Sequence, residues 1–583
     1  VCEGDAIEVK VYNELLNSEG TSVHWHGLLQ KGTPHMDGIS LITQCPITTR
    51  SSFTYRFKAL DPGTHYWHAH SGMQRADGMY GAIVVRQPAS RDPHFALYDH
   101  DLSDHVIIVT DWTPRMTLPD FLDHHHDDAK PFPPQILING MGAYAEFKSG
   151  SNTIFTPRAS FTVEGGKRYR FRVISNALSM CPMQISVDGH NLTVIASDGS
   201  PFQPVEVDSF DILNGERYDF VLHANQTAEL KNFWIRVRGQ IMCRFTKAHQ
   251  VALLRYAGAP DVDPPEPTDW GGVLLNPWNS AASDNEIDIT RMRTVVPDAD
   301  DSDLTSEPDK QFYFGMDYYQ VDSYVVNHPE YYPLYVVDST KRSYPTQMNR
   351  ISSRLPASPP LSQYKDTSQS EYCNEFTVQK DCARDWCSCI HKVNVSLGEL
   401  VELVFVDEGV LREANHPIHL HGFKFRVVAM GKLNTSTSVA QVKALDKLGK
   451  INRTRSGAPH KDSVTVPDGG YTVLRFRADN PGMWFVHCHI TAHTTNGMDI
   501  IIQVGHPSEF PKTPKNFPRC GSWNDDFEDE NDDENNNQPI LFQCLTPGDN
   551  YGNRARTLPG YILVAVGVIS IMLGLPSITL LGE

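Results

Sequence analysis

The chain has 583 residues, a length that suits three or four domains rather than one core. A hydrophobic share of 40%, a charged share of 21%, 39 prolines and 40 glycines suit a globular protein of short strands and turns and argue against long helices. The net charge of −19, with eight acids crowded into 525–534, argues against a nucleic-acid binder, which would show basic patches.

In chain order, Ile7-Glu-Val-Lys-Val-Tyr12 alternates apolar and polar residues and reads as a strand almost at once. The expectation is therefore a chain clipped inside its first domain, whose missing leader says nothing against secretion. Further strand-type runs are Phe53–Phe57, Gly81–Val85, Val106–Val109, Tyr169–Val173, Phe233–Val237, Leu400–Phe405 and Val473–Arg477. Short alternating strands between turn residues predict β-sandwiches. Pro114–Pro134, which contains His124-His-His126 and Asp127-Asp128, reads as a solvated loop. Asp261–Asp269 and the acidic Val295–Asp309 read as interdomain connections. Asn13–His24 and Glu408–His419 each lead from a strand into a His-x-His pair, which suggests that the first and last domains are related copies. Cys520–Leu558 reads as an acidic, flexible stalk. Tyr561–Leu581 is uncharged and long enough to cross a bilayer. No basic residue follows it, so a glycolipid-anchor signal and a transmembrane helix fit equally, and either attaches the chain to a membrane.

Eleven cysteines are present. With Cys488 set aside as a metal ligand, an even number remains, which permits disulfides. Asn-x-Ser/Thr sequons at Asn191, Asn225, Asn394, Asn434 and Asn452 point to an extracellular glycoprotein. In that setting Cys387-Ser-Cys389 reads as disulfide partners rather than a metal or redox motif.

The chemistry lies in four pairs: His24-Trp-His26, His68-Ala-His70, His419-Leu-His421 and His487-Cys488-His489. On a strand, residues i and i+2 share a face, so each pair presents two imidazoles together. Two pairs lie near each end of the chain, so neither half completes the site alone. Imidazole and soft sulfur are copper ligands. A thiolate, two histidines and a weak axial methionine make a one-electron copper site; Cys488, His493 and Met498 supply three of these, and His416 is the candidate for the fourth. Because Cys488 sits between His487 and His489, its backbone joins that site to the other metals. The eight His-x-His imidazoles suffice for three more coppers, and four coppers together hold the electrons that reduce O2 to water.

At these residues the chain resembles a multicopper oxidase of the laccase type, across about residues 1 to 510. His24-Trp-His-Gly27, Met36-Asp-Gly38, Thr43-Gln-Cys-Pro-Ile47, Gly63–Gly72 and Gln74-Arg-Ala-Asp-Gly78 are most similar to arthropod members, as is the stretch from Phe171 to Leu222. The resemblance implies an all-β chain of three cupredoxin-like Greek-key β-sandwich domains, the first N-terminally truncated: 1–98, 99–260 and 310–510. A linker (261–309), a stalk (511–560) and an anchor (561–583) complete the division. It implies a type 1 copper on His416, Cys488 and His493 with Met498 axial, and a type 2 copper on His24 and His419. It also implies type 3 coppers on His26, His68 and His489 and on His70, His421 and His487. Asp37 matches the family's acid that delivers protons to reduced oxygen, and is equally placed as a turn residue before Gly38. Many relatives carry a second acid at the position of Thr491 or Ala492. Its absence here implies slower turnover or a shifted pH optimum, and Thr491→Glu is expected to raise turnover. The family pairing implies Cys45–Cys520, with Cys544 the alternative partner; Cys181–Cys243 is expected within the middle domain. An axial methionine implies a low-to-moderate potential and electron-rich donors.

The expected donor is a diphenol or catechol, with Fe(II) and ascorbate as alternatives. A ferroxidase needs carboxylates beside the type 1 site, for which Glu206, Asp208, Glu408 and Glu413 are available, although Glu206 and Asp208 read better as solvated strand residues. A copper-binding cupredoxin array without activity is disfavoured because every ligand is present. A zinc hydrolase would not need eight clustered imidazoles.

Overall fold

The computed structural model describes residues 1–521 except 114, 128–134, 143–145, 150–151, 227–230, 266–269, 296–300, 319–345 and 410–414. All seven further strand-type runs form strands, as does the opening Ala6–Tyr12. Glu413, Cys544, most of the stalk and the apolar segment Tyr561–Leu581 lie outside the described residues. Among the described residues no helix is long and apolar enough to cross a membrane.

Antiparallel pairs dominate, with parallel edges where the chain crosses between sheets. Near the N-terminus, Ala6–Tyr12 pairs with Ser52–Lys58, and Val23–His26, Gly63–Ala69 and Tyr80–Val85 form a second sheet. Val9, Val11, Trp25, Tyr55 and Phe57 fill the space between them. A six-stranded and a seven-stranded sheet follow, built on strands such as Arg168–Ser175, Arg217–His223 and Phe233–Gly239. Another pair of sheets carries Leu400–Asp407 and Gly470–Arg477 on one side and His416–Leu420 and Gly482–Cys488 on the other. The cores of these last two sandwiches are continuous, from Ile107 to Val504. The all-β, three-domain cupredoxin architecture expected from the sequence is thus present.

Two segments differ from expectation. Thr117–Asp127, inside the stretch read as a loop, is a helix. Its proline falls in the first turn, where a missing N–H costs nothing, and Asp120 suits the positive helix start. The Thr117 amide and hydroxyl also donate to Asp77, at 2.9 and 2.8 Å. The segment read as a linker adds Leu274–Leu275 and Glu286–Ile287 to the seven-stranded sheet and buries Leu275 and Ile289. A short apolar pair between turns is enough to extend a sheet edge, and periodicity cannot reveal it.

Four disulfides form among the described cysteines: Cys45–Cys520, Cys181–Cys243, Cys373–Cys389 and Cys382–Cys387. The first ties residue 520 back to the N-terminal sandwich. Cross-links of this number suit an oxidising compartment. Cys2 and Cys488 are free thiols.

Candidate metal centre

The histidine pairs are brought together by one register used twice. In the first sandwich His24 lies directly opposite His68 across an antiparallel ladder; in the last, His419 lies opposite His487. His26 faces Tyr66 in the first, and the His421 amide donates to the Phe485 carbonyl in the last. A matched register puts all eight rings on facing surfaces, and Gly38 lets the strands close. At φ +84° it abuts the Val23 carbonyl, where an added Cβ would lie 1.8 Å from the oxygen.

The eight rings are close enough to share ions. His24 and His419 meet Nε2 to Nε2 at 3.5 Å, and His421 and His487 at 3.2 Å. Ligand atoms of His24, His26 and His68, of His24, His419 and His421, and of His70, His421 and His487 fall within 4.8 Å of one another. The His489 ring centroid lies 5.0 Å from that of His26 and 5.5 Å from that of His68.

Six of the rings have one nitrogen fixed by an acceptor outside the cluster. His24 Nδ1 bonds the Asp37 carbonyl, His68 Nδ1 the Ala69 carbonyl, His419 Nδ1 the Asp462 carbonyl and His487 Nδ1 the Cys488 carbonyl, at 2.8 to 3.0 Å. Carboxylates serve the other two: Asp37 Oδ2 is 2.9 Å from His421 Nδ1, and Asp462 Oδ1 is 3.2 Å from His26 Nε2. Orientation of this kind fixes the tautomer and leaves the second nitrogen's lone pair facing inward. His26 Nδ1 and His68 Nε2 are buried with no hydrogen-bond partner. Partnerless nitrogens within a cluster of imidazoles fit metal ligation.

A second group sits beyond Cys488. Its Sγ lies 3.5 Å from His493 Nδ1 and 3.7 Å from His416 Nδ1, and the two nitrogens are 3.2 Å apart. His416 opens one strand, Cys488 closes another, and His493 lies on the short helix Thr491–Thr495. Met498 is buried beside them, its carbonyl accepting from the Cys488 amide at 3.1 Å and its amide donating to the His493 carbonyl at 3.0 Å. Burial raises the Cys488 thiol above its ordinary value and lowers His416 to about 3. A buried thiol keeps its proton unless a metal displaces it, and neutral imidazole is the ligating form. The donor set, one soft sulfur, imidazoles and a thioether, fits copper.

Residues beyond the histidine pairs complete the surroundings. Asp37, already singled out, is fully buried and touches both His24 and His421, so it braces one histidine from each end of the chain. Asp462 contacts His26 and His419 and receives a two-pronged bond from Arg217 of the middle domain, 2.6 Å on each side. Asp407 Oδ2 lies 3.5 Å from His416 Nε2, and the Tyr318 hydroxyl bonds His493 Nε2. Of the acids considered for iron, Glu206 is exposed and accepts from Asn191, Asp208 accepts from the Val273 amide, and Glu408 is buried against the Val439 amide.

Fold and ligand geometry together define a copper-dependent oxidoreductase built from three cupredoxin-type sandwiches. Multicopper oxidase family models match residues 1–90, 103–259 and 353–507. Laccase-4 of Thanatephorus cucumeris is 32% identical over 89% of this chain and 84% of its own length, and the laccase of Trametes hirsuta is 31% identical over 90% and 86%. Among solved structures, Fet3p, a multicopper oxidase that functions in iron import, superposes with a TM-score of 0.65 at 20% identity, over 88% of this chain and 86% of that one. The laccase of Botrytis aclada gives 0.64 at 23%, over 87% and 81%; both likenesses concern the fold. The chain belongs to the multicopper oxidase family. It is an enzyme that uses O2 as acceptor and carries four coppers, one type 1, one type 2 and two type 3.

The buried imidazoles make the copper-free protein acid-sensitive. His419 and His416 are both lowered to about 3, His416 by burial and His419 by burial first, whereas the unfolded chain protonates near 6.5. The unfolded state therefore binds more protons between those values, and stability falls as pH drops from 6.5 towards 3. Scanning calorimetry of copper-free protein is expected to show a midpoint about 10 °C lower at pH 4.5 than at pH 7. A flat profile would contradict this.

Proposed function

We propose that His416, Cys488, His493 and Met498 form the type 1 site, where single electrons from a small phenolic reductant enter. His24 and His419 take the type 2 copper. His26, His68 and His489 take one type 3 copper, and His70, His421 and His487 take the other. When bound, the coppers supply one-electron redox chemistry that gathers four electrons for O2. The observation that carries this reading is Cys488, which touches His416 and His493 through sulfur while its chain neighbours His487 and His489 lie in the other cluster. Asp37 is placed to hold a proton 2.9 Å from His421.

Two features favour a diphenol or catechol over Fe(II). The Tyr318 contact means that the outer nitrogen of His493 already meets a phenol hydroxyl. The carboxylate beside His416, Asp407, is buried and offers iron no exposed ligand. The laccase names of the relatives point the same way, whereas the iron-import role of Fet3p keeps Fe(II) as the second reading. Oxygen uptake with a catechol, Fe(II) and ascorbate under one set of conditions is expected to be fastest with the catechol. A strong preference for Fe(II) would overturn this reading.

We place the enzyme at the extracellular face of the membrane, held by 561–583. All five sequon asparagines are exposed, which supports glycosylation. Release from cells by a phosphatidylinositol-specific lipase would identify a glycolipid anchor, and resistance to it a transmembrane helix. The domain division 1–98, 99–260 and 310–510 belongs to the same reading, with Leu274–Leu275 and Glu286–Ile287 joined to the middle sandwich and Leu304 packed against the last.

A further inference from the structure

We propose that a cavity at the seam of the first and last sandwiches is a binding site for a small carboxylate with an apolar body, whose charge is taken by Lys424. The cavity encloses about 290 Å³, near the lower end of the range of small-molecule sites. Leu29 and Lys31 line it from the first sandwich, and Phe423, Lys424 and Phe476 from the last. The Asn480 side chain joins the two by donating to the Leu29 and Gly422 carbonyls, both at 2.9 Å. None of the proposed copper ligands lines this space.

Charge selects an anion. Five Lys or Arg side chains line the cavity against two aspartates. Four have carboxylate partners: Lys31 meets Asp479 at 2.9 Å, Arg426 meets Asp301 at 3.1 Å, Arg475 meets Glu402 at 2.6 Å, and Arg477 meets Asp303. Lys424 is the exception. It is half-buried, and among the described residues no carboxylate lies within ion-pair distance of its ammonium and no group accepts a hydrogen bond from it. Asp61, Asp462 and Asp198 attract it from farther away, but Asp61 is engaged by the Leu29 amide at 2.9 Å, Asp462 by Arg217 and Asp198 by Lys461. Burial outweighs their attraction and holds the lysine below its ordinary range. An anion in the cavity would compensate the charge that these acids leave uncovered. The walls select the rest of the ligand. Phe423 and Phe476, with ring centroids 4.8 Å apart, join Leu29 and Leu304 as apolar lining that an inorganic oxyanion would leave wet. At about 30 Å³ per water the space equals about ten waters, which suits a carboxylate on a single ring.

Benzoate is the probe, titrated by isothermal calorimetry into the copper-loaded protein. Wild type is expected to bind it with a Kd of about 1 mM or tighter. Lys424→Met is expected to weaken benzoate about tenfold or more. Because that variant loses an unpaired cation, it should unfold at no lower temperature than wild type, and benzoate should raise the midpoint of wild type alone. Acetate keeps the charge without the body and benzyl alcohol the ring without the charge, so each is expected to bind at least about tenfold more weakly than benzoate. Unchanged benzoate affinity in Lys424→Met places the bound molecule elsewhere and overturns the proposal. So does wild-type binding weaker than about 1 mM, or acetate or benzyl alcohol binding as tightly as benzoate. If Lys424→Met fails to fold, the exposed Lys31 decides: Lys31→Glu is expected to weaken benzoate about threefold, and undiminished affinity overturns the proposal equally.

Discussion

Cys488→Ser protein is expected to fold, to keep most of its copper and to lose at least about 10³-fold in oxygen uptake with every reductant, about 4 kcal/mol at the barrier. Serine matches cysteine in shape, and the site is fully buried within a packed core, so the substitution perturbs little besides the sulfur. The chemistry changes greatly. Sγ is the atom that meets both His416 Nδ1 and His493 Nδ1, and a hydroxyl oxygen there is a hard, poorly ionised ligand in place of a soft one. The covalent path also loses its starting atom. Cys488 is flanked by His487 and His489, so the chain itself connects the two histidine groups without a gap. The eight-histidine cluster keeps all its ligands in this variant, and metal analysis is expected to find close to three coppers per chain with the blue absorption absent. A variant retaining a tenth of wild-type oxygen uptake would remove Cys488 from the electron path.

The proposed ligands were legible in the sequence because their requirement is local. A strand puts residues i and i+2 on one face, so His-x-His states both residue type and geometry in three letters. The segments Asn13–His24 and Glu408–His419 hinted at a repeated unit, and His24 lies opposite His68 as His419 lies opposite His487. Groups that hold the ligands were not legible. Arg217, Asp462 and Arg75 act across domain boundaries, at chain separations of 245 residues for Arg217 and Asp462 and 414 for Arg75 and His489. No spacing rule spans such distances, and an aspartate in Lys-Asp-Ser reads as any polar loop residue. The helix at Thr117–Asp127 was hidden for a different reason: three consecutive histidines and flanking prolines resemble a linker, although the proline sits where a helix tolerates it. Thr491 shows the limit of reading by family pattern. Its missing acid suggested an altered proton supply, but the structure places a cation, Arg75, on its hydroxyl.

The middle sandwich contributes none of the proposed ligands, yet Arg217→Met is expected to be among the most damaging single substitutions in the chain. The guanidinium and the Asp462 carboxylate are 0% and 1% exposed and paired on both prongs. Burial pushes Asp462 up, but Arg217 pulls harder, and the carboxyl sits well below its ordinary value. Asp198 adds a second tie, accepting from the Asp462 and Ser463 amides and from Lys461 at 3.1 to 3.2 Å. Removing one partner of a buried pair leaves an uncompensated charge, at about 3–5 kcal/mol. Calorimetry of copper-free Arg217→Met is expected to show that loss, and a change under about 1 kcal/mol would mean that solvent reaches the pair. Arg217→Lys cannot restore the fork and should recover only part. The double variant Arg217→Met/Asp462→Asn removes both charges and is expected to regain about 2 kcal/mol of the loss. Copper content then separates stability from ligand placement. Asp462 touches His26 and His419 as well as Arg217, so asparagine can satisfy the fold while gripping the two imidazoles less firmly. A double variant that is stable but short of copper would show that the middle domain acts on the centre through the Asp462 carboxylate, and not merely by holding the sandwiches together.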